Sequence, residues 1–413
     1  MAEDTRPRFS RRRFLGGSAV VASGLGAAAL VGACSPDRDT AAPAGATNVA
    51  PVAPALDFYG QHQNGIALPR QHRLVFGAFD AIAPDRDRLV QLLRKWTDAG
   101  AALADGSYQS STGEADGLAT SRLTLTFGFG ATLFANSGAD RYGLGVQRPV
   151  SLIDLPAFRG EQLDPVRSGG DLGVQICADD PTVAFHALHT LNRLASGAAV
   201  LRWTQTGFVS TAGPPSVPPE SPRNLMGFRD GTNNLALDNP AELRDHLWVG
   251  DADGPAWMRG GTYLVARRIR IDLEQWDRLA RDEQEAAFGR AKQSGAPLSG
   301  GTQERDPLQL SNERIASDAH VRLSAPDTND GARMLRRSYS YFDDTSRNAR
   351  GPESGLFFVS YQRDIGRQFV PIQQRLADGD ALNAFTTHTA SAVFAMPPGV
   401  AKGGFVGETL FSA

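Results

Sequence analysis

The 413-residue sequence predicts an α+β protein of two halves, each an antiparallel sheet carrying helices in the manner of a split βαβ unit. Three observations lead there. Eight β-rich runs are divided by amphipathic helical segments. The order strand, helix, strand, strand, helix, strand occurs twice. Between the two occurrences lie residues 211–222, a linker with five prolines in twelve residues.

In chain order, β-branched and aromatic runs predict strands at 74–79, 123–129, 172–178 and 199–208 in the first half. Those at 263–271, 338–342, 356–361 and 392–396 form the second. A helix over 86–101 places Leu89, Leu92, Leu93 and Trp96 on one face. Another over 182–195 does the same with Val183, Phe185, Leu188, Leu191 and Leu194. A third, over 272–281, opens on a capping-box-like Asp272-x-x-Gln275 and buries Leu273, Trp276 and Leu279. The predicted domains are therefore 56–210 and 223–413.

Hydrophobic residues make up 41% of the chain, enough for a sizeable core. Gly and Pro together reach about 17%, against roughly 12% on average, which predicts loops of some length on a globular body. A net charge of −3 lacks the basic face of a general nucleic-acid binder. Residues 1–34 hold five Arg and two acids, so the remainder stands at −6, suited neither to polyanions nor to an anionic membrane surface.

Those first 34 residues read as an address. Ser10-Arg11-Arg12-Arg13-Phe14-Leu15 matches a twin-arginine export signal, and the uncharged run 16–32 is too short and too weakly apolar for a bilayer span. That route carries proteins already folded, often with a cofactor inside. Val31-Gly32-Ala33-Cys34 reads as a lipobox, predicting a lipid anchor at Cys34, with cleavage near Ala42-Pro43-Ala44 and release as the alternative. Residues 35–55 are a flexible tether on either reading. The expected location is the cell envelope, or the periplasm or exterior if the chain is released. Only Cys34 and Cys177 are present, so a processed chain forms no internal disulfide, and Cys177 reads as a small buried hydrophobe.

No Walker loop, His-Glu-x-x-His or CxxC occurs, and residues 128–133 fail the dinucleotide fingerprint at Leu133. His186 and His189 have metal-ligand spacing, but no acid or thiol completes a set, which leaves solvent-facing or capping roles. What remains is Gly227-Phe228-Arg229-Asp230-Gly231-Thr232-Asn233-Asn234, where two glycines let the backbone turn tightly and aim a carboxylate inward. Two later segments join it. Residues 318–323 put His320 in an apolar, β-branched setting. In 334–341, alternation places Arg336 and Ser338 on one face, and Leu335, Arg337 and Tyr339 on the other.

With these residues the chain resembles the dye-decolorising peroxidase family, close to its twin-arginine-exported deferrochelatase/peroxidase branch. The family's Gly-x-x-Asp-Gly motif is met at Gly227 to Gly231, its His-[Ile/Val]-Arg segment at His320-Val321-Arg322, and its Leu-Arg-Arg segment at Leu335-Arg336-Arg337. The runs 59–66 and 170–180 are also similar to it, and the likeness extends from about residue 56 to the C-terminus. It implies two ferredoxin-like domains, resembling a dimeric α/β-barrel, with one haem b held in the C-terminal half. The chain departs from the branch at Ala325, where Asn is usual before proline.

The resemblance makes His320 the axial ligand to iron, its other ring nitrogen oriented by an acid, with Glu353 and Asp364 as candidates. Asp230 is then the general acid–base for hydrogen peroxide and Arg336 the fixed positive charge where the O–O bond polarises. Gly231, Thr232 and Asn233 are expected at one haem edge, and Ala325, Pro326 and Asp327 at the other. The implied activity is reduction of peroxide to water with one-electron oxidation of organic donors such as dyes and phenols, fastest in acid. Tyr339, Tyr341, Trp248 and Trp257 read as core aromatics first and electron relays second. The alternatives are a deferrochelatase or ferrous-iron oxidase in iron uptake, and a lipid-anchored protein that binds without turnover. Related proteins commonly assemble, so a homo-oligomer is expected.

Overall fold

A computed structural model describes residues 55–110, 113–114, 116–210, 221–343 and 352–412. The export signal, Cys34, the tether up to residue 54 and residues 211–220 of the linker lie outside these. Among the described residues no helix is long and apolar enough to cross a membrane.

Among the described residues nine strands form one antiparallel sheet: β1 Arg73–Ala81, β2 Thr124–Gly130, β3 Leu172–Ala178, β4 Ala199–Phe208, β5 Thr262–Ile271, β6 Leu335–Arg336, β7 Tyr339–Asp343, β8 Glu353–Gln362 and β9 Thr386–Met396. The first half runs β2-β3-β1-β4 and the second β9-β5-β8-β7, the same order in each, as expected of two ferredoxin-like units. They fuse through two seams, β2 with β9 and β4 with β7, so the strands close into a barrel with β6 appended to β8. Closure leaves few free edges to pair with other chains.

Alternation sorts the core. Leu74, Phe76 and Ala78 of β1 and Phe357, Val359 and Tyr361 of β8 fill the barrel interior. Val75 and Phe79 face outward, under the helices Arg86–Asp105 and Pro181–Leu194. Trp96 locks those two helices together by donating Nε1–H to the Leu191 carbonyl at 2.9 Å. Tyr339, Tyr341 and Trp257 are buried, as core aromatics should be, and Trp248 stacks on His62.

Three details differ from expectation. The predicted helix over 272–281 is two helices, Leu273–Trp276 and Arg281–Phe288. Extended Ala280 separates them, and Glu283 turns back to accept from its amide, starting a second N-terminus. Phe185 is 63% exposed and stacks on His189 rather than joining its helix's buried face. His186 is buried, neither solvent-facing nor capping.

Candidate functional site

The C-terminal sheet turns a second face outward, and there the chain leaves a cavity of about 230 Å³. Leu356 and Phe358 of β8 point into it, opposite in sense to their barrel-facing neighbours. The β5–β9 register slips between Arg268 and Ile269, and that bulge carries Thr386 and His388 to the cavity side.

One wall is the 227–234 loop. Asn224 Oδ1 accepts from the amides of Met226 and Phe228, folding the turn, and Gly227 at φ 85° lies where a Cβ would stand 2.6 Å from Lys292 Cε. The Asp230 amide donates to the Pro222 carbonyl at 2.7 Å, and Gly231 follows at φ 143°. Asn234 then ties this loop to β6 as a strand would: its side chain accepts from the Arg336 amide and donates to the Arg336 carbonyl, both at 2.9 Å. Arg336 Nη2 returns to the Thr232 carbonyl at 2.6 Å. Asp230, Thr232, Asn233, Arg336 and Ser338 thus line one surface.

The facing wall is a single helical turn, His320–Leu323, with Pro326 beyond it. His320 Nδ1 lies 2.6 Å from Asp380 Oδ2, and the other Asp380 oxygen accepts from the Leu382 amide at 2.9 Å. With Nδ1–H donated to a buried carboxylate, Nε2 keeps its lone pair for the cavity. Neither acid expected behind His320 is there. Glu353 pairs with Arg268 at 2.7 Å, and Asp364 accepts from Ser151 at 2.9 Å while capping the turn that starts at Ile365. Both serve the barrel and its connections. Asp380 went unseen because it lies 60 residues from His320, just past a helix end where a carboxylate reads as turn chemistry.

Four guanidinium groups, of Arg229, Arg290, Arg333 and Arg336, border the cavity against the two carboxylates of Asp230 and Asp380. Burial lowers Arg333 and Arg336 from their ordinary values and pushes Arg290 down to about 10, the last aided by the Arg336 charge. The buried Nε atoms of Arg290 and Arg333 find no partner among the described residues. Met226, Phe228, Phe288, Leu356, Phe358 and Phe369 supply a broad apolar lining. A flat apolar body with anionic arms, presenting a metal to an imidazole, satisfies every one of these features; the residues present fit haem.

Of the other expected contacts, Thr232, Asn233 and Pro326 line the cavity, whereas Gly231, Ala325 and Asp327 do not. Ala325 is buried, its carbonyl taken by Asn329 Nδ2 at 2.8 Å and Thr328 Oγ1 at 2.9 Å, and Asp327 is exposed. The expected loop contacts there pass to Ser324 and Pro326. Arg70, whose Nη2 donates to the Asp230 carbonyl at 2.7 Å, joins this wall from the other half of the chain, in a stretch with no motif to mark it.

Comparison with known proteins agrees with the geometry. The N-terminal model for Dyp-type peroxidases matches residues 63–209, and the C-terminal model matches residues 221–401. A protein named dye-decolorizing peroxidase, from Thermobifida fusca, is 38% identical over 98% of each chain. One named deferrochelatase, from Escherichia coli O157:H7, is 35% identical over 95% of this chain and 94% of its own. The solved structure of ferric DtpA from Streptomyces lividans superposes with a TM-score of 0.81 at 43% identity, covering 88% of this chain and 98% of that one.

Proposed function

We propose that Asp230, Arg336, His320 and Asp380 carry the chemistry of this chain, which belongs to the Dyp-type peroxidase family and is a haem-dependent peroxidase. The observation that supports this assignment is the opposition, across one cavity, of a carboxylate–guanidinium pair and a carboxylate-oriented histidine. Bound haem supplies an iron centre that takes two oxidising equivalents from hydrogen peroxide and passes them one at a time to organic donors.

His320 would hold the iron through Nε2, and Asp380, by keeping the Nδ1 proton, would fix the ring and raise its donor strength. Asp230 would accept a proton from peroxide and return it to the departing oxygen as water forms, a role worth about 10²–10⁴ in rate. Arg336 would stabilise the negative charge that builds as the O–O bond breaks, held in place beforehand by the Thr232 carbonyl. Arg290 and Arg333 would meet the anionic arms. Dyes and phenols are the proposed donor class. Residues 10–15 and Cys34 support export by the twin-arginine route and lipid anchoring in the cell envelope, and a homo-oligomer is part of the proposal.

The test is to load the full chain with haem, add peroxide with a phenolic donor, and analyse the products. Oxidised donor with the haem intact supports the reading. Metal-free porphyrin in place of oxidised donor would move the assignment to the deferrochelatase activity for which the Escherichia coli relative is named. Failure to bind haem would overturn it.

A further inference from the structure

We propose that Arg70, supplied by the N-terminal half, is a positioning residue for Asp230: it clamps the Asp230 loop to the strand region behind Arg336 and sets the carboxylate beside its companion cation. The proposal rests on the assignment of Asp230 made above. Arg70 sits just before β1, and its guanidinium reaches three acceptors in the other half. Nη2 donates to the Asp230 carbonyl at 2.7 Å, Nη1 donates to the Ser338 carbonyl at 2.7 Å, and Nη1 also lies 3.4 Å from Asp230 Oδ2. Both side chains are 15% exposed, so water screens the pair only in part.

The three contacts do different things. The two carbonyl bonds join the Asp230 loop to Ser338, two residues beyond Arg336, so one planar fork sets the spacing of the proposed acid–base and its companion cation. A neutral amide could make bonds of that kind. The third contact places a permanent charge beside the carboxylate, and only a cation can do that. The charged groups around Asp230 are Arg70 from the segment before β1, Arg336 from β6, Arg229 on its own loop, and Glu304, which holds Ser221 and has Arg290 behind it. The field of Arg70 reaches across this group: Arg336, lowered first by burial and supported by Asp230, is lowered further by Arg70.

Charge and clamp are tested by two variants of the full, haem-loaded chain. Arg70→Gln removes the charge and shortens the fork; Arg70→Lys keeps a cation and cannot bridge three acceptors. The readouts, at full haem occupancy, are the rate of the peroxide-induced Soret change and the rate of cyanide association. The second involves no turnover, yet hydrogen cyanide must also surrender a proton. In Arg70→Gln both rates should fall about tenfold with the resting Soret band unchanged, and Arg70→Lys should recover part of the loss. Rates for Arg70→Gln within threefold of wild type, or no recovery in Arg70→Lys, would overturn the proposal. Should Arg70→Gln fail to take up haem, Arg70→Lys carries the test alone, and wild-type rates there are the contradicting result. Asp230→Asn separates the two levels: with the carboxylate gone, adding Arg70→Gln should slow neither rate further, and a further slowing overturns the proposal, whereas wild-type rates in Asp230→Asn alone overturn the assignment of Asp230 itself.

Discussion

The two walls of the cavity are held by different means. The Asp230–Arg336 wall is assembled from three remote stretches, the 227–234 loop, β6 and the segment before β1, through short bonds that mostly involve backbone groups. The His320 wall is one helical turn whose histidine is set by a single side-chain bond to Asp380. A wall built on backbone partners tolerates change at most single side chains, the exceptions being the two that face the ligand and the Arg70 clamp. A wall hung on one bond depends on that bond. This predicts that variants on the first wall act steeply at the facing residues, whereas on the second a substitution outside the cavity's reacting centre is felt through the histidine.

After loss of Asp230 itself, the largest effect that would sharpen this contrast belongs to Arg336→Leu. It should slow the reaction with peroxide by about 10²–10³ at full haem occupancy, the range for loss of one preorganised charge stabiliser. Rapid mixing would show it, and a change below threefold would remove Arg336 from the chemistry.

Next comes Asp380→Asn. Losing the carboxylate partner should weaken haem retention or turnover by about 10–100-fold, with an altered resting spectrum. Haem titration of the apoprotein measures the first directly. An Asp380→Asn chain with wild-type affinity, spectrum and turnover would break the argument that the second wall hangs on one bond.

What the sequence made legible divides along the same line. The fold was readable because alternation in β1, β5 and β8 survives barrel closure, and each strand's apolar faces persist in the amino-acid order. Asp230 and Arg336 were readable because each sits in a compact run whose glycines or alternation state where the side chain points. Asp380 and Arg70 were not, since each meets its partner only through the tertiary fold, 60 and 160 residues away. His388 was hidden by the bulge in β9, which reverses the face that strict alternation assigns to it.

That histidine carries the smallest prediction. Burial, with the Arg267 charge adding to it, pushes His388 down to about 3, so the folded chain holds it neutral where an unfolded histidine would protonate near pH 6.5. Its contribution to stability is therefore complete above about pH 6.5 and is lost as pH falls from there toward 3, with a slope of up to about 1.4 kcal/mol per pH unit. His388→Leu should flatten the acid loss of thermal stability of the haem-free chain by about one proton's worth. Parallel melting curves for both chains between neutral pH and pH 5 would count against the burial of His388.

The division of labour between the walls is tested most directly by the bimolecular rate of the Soret change when haem-loaded Asp230→Asn meets hydrogen peroxide, beside the wild type at equal haem occupancy. The account predicts an undisturbed resting Soret band and a rate lower by at least about 100-fold, because the histidine wall is intact and the proton acceptor is gone. A rate within threefold of wild type would contradict it, and would place the acid–base chemistry on some group other than Asp230.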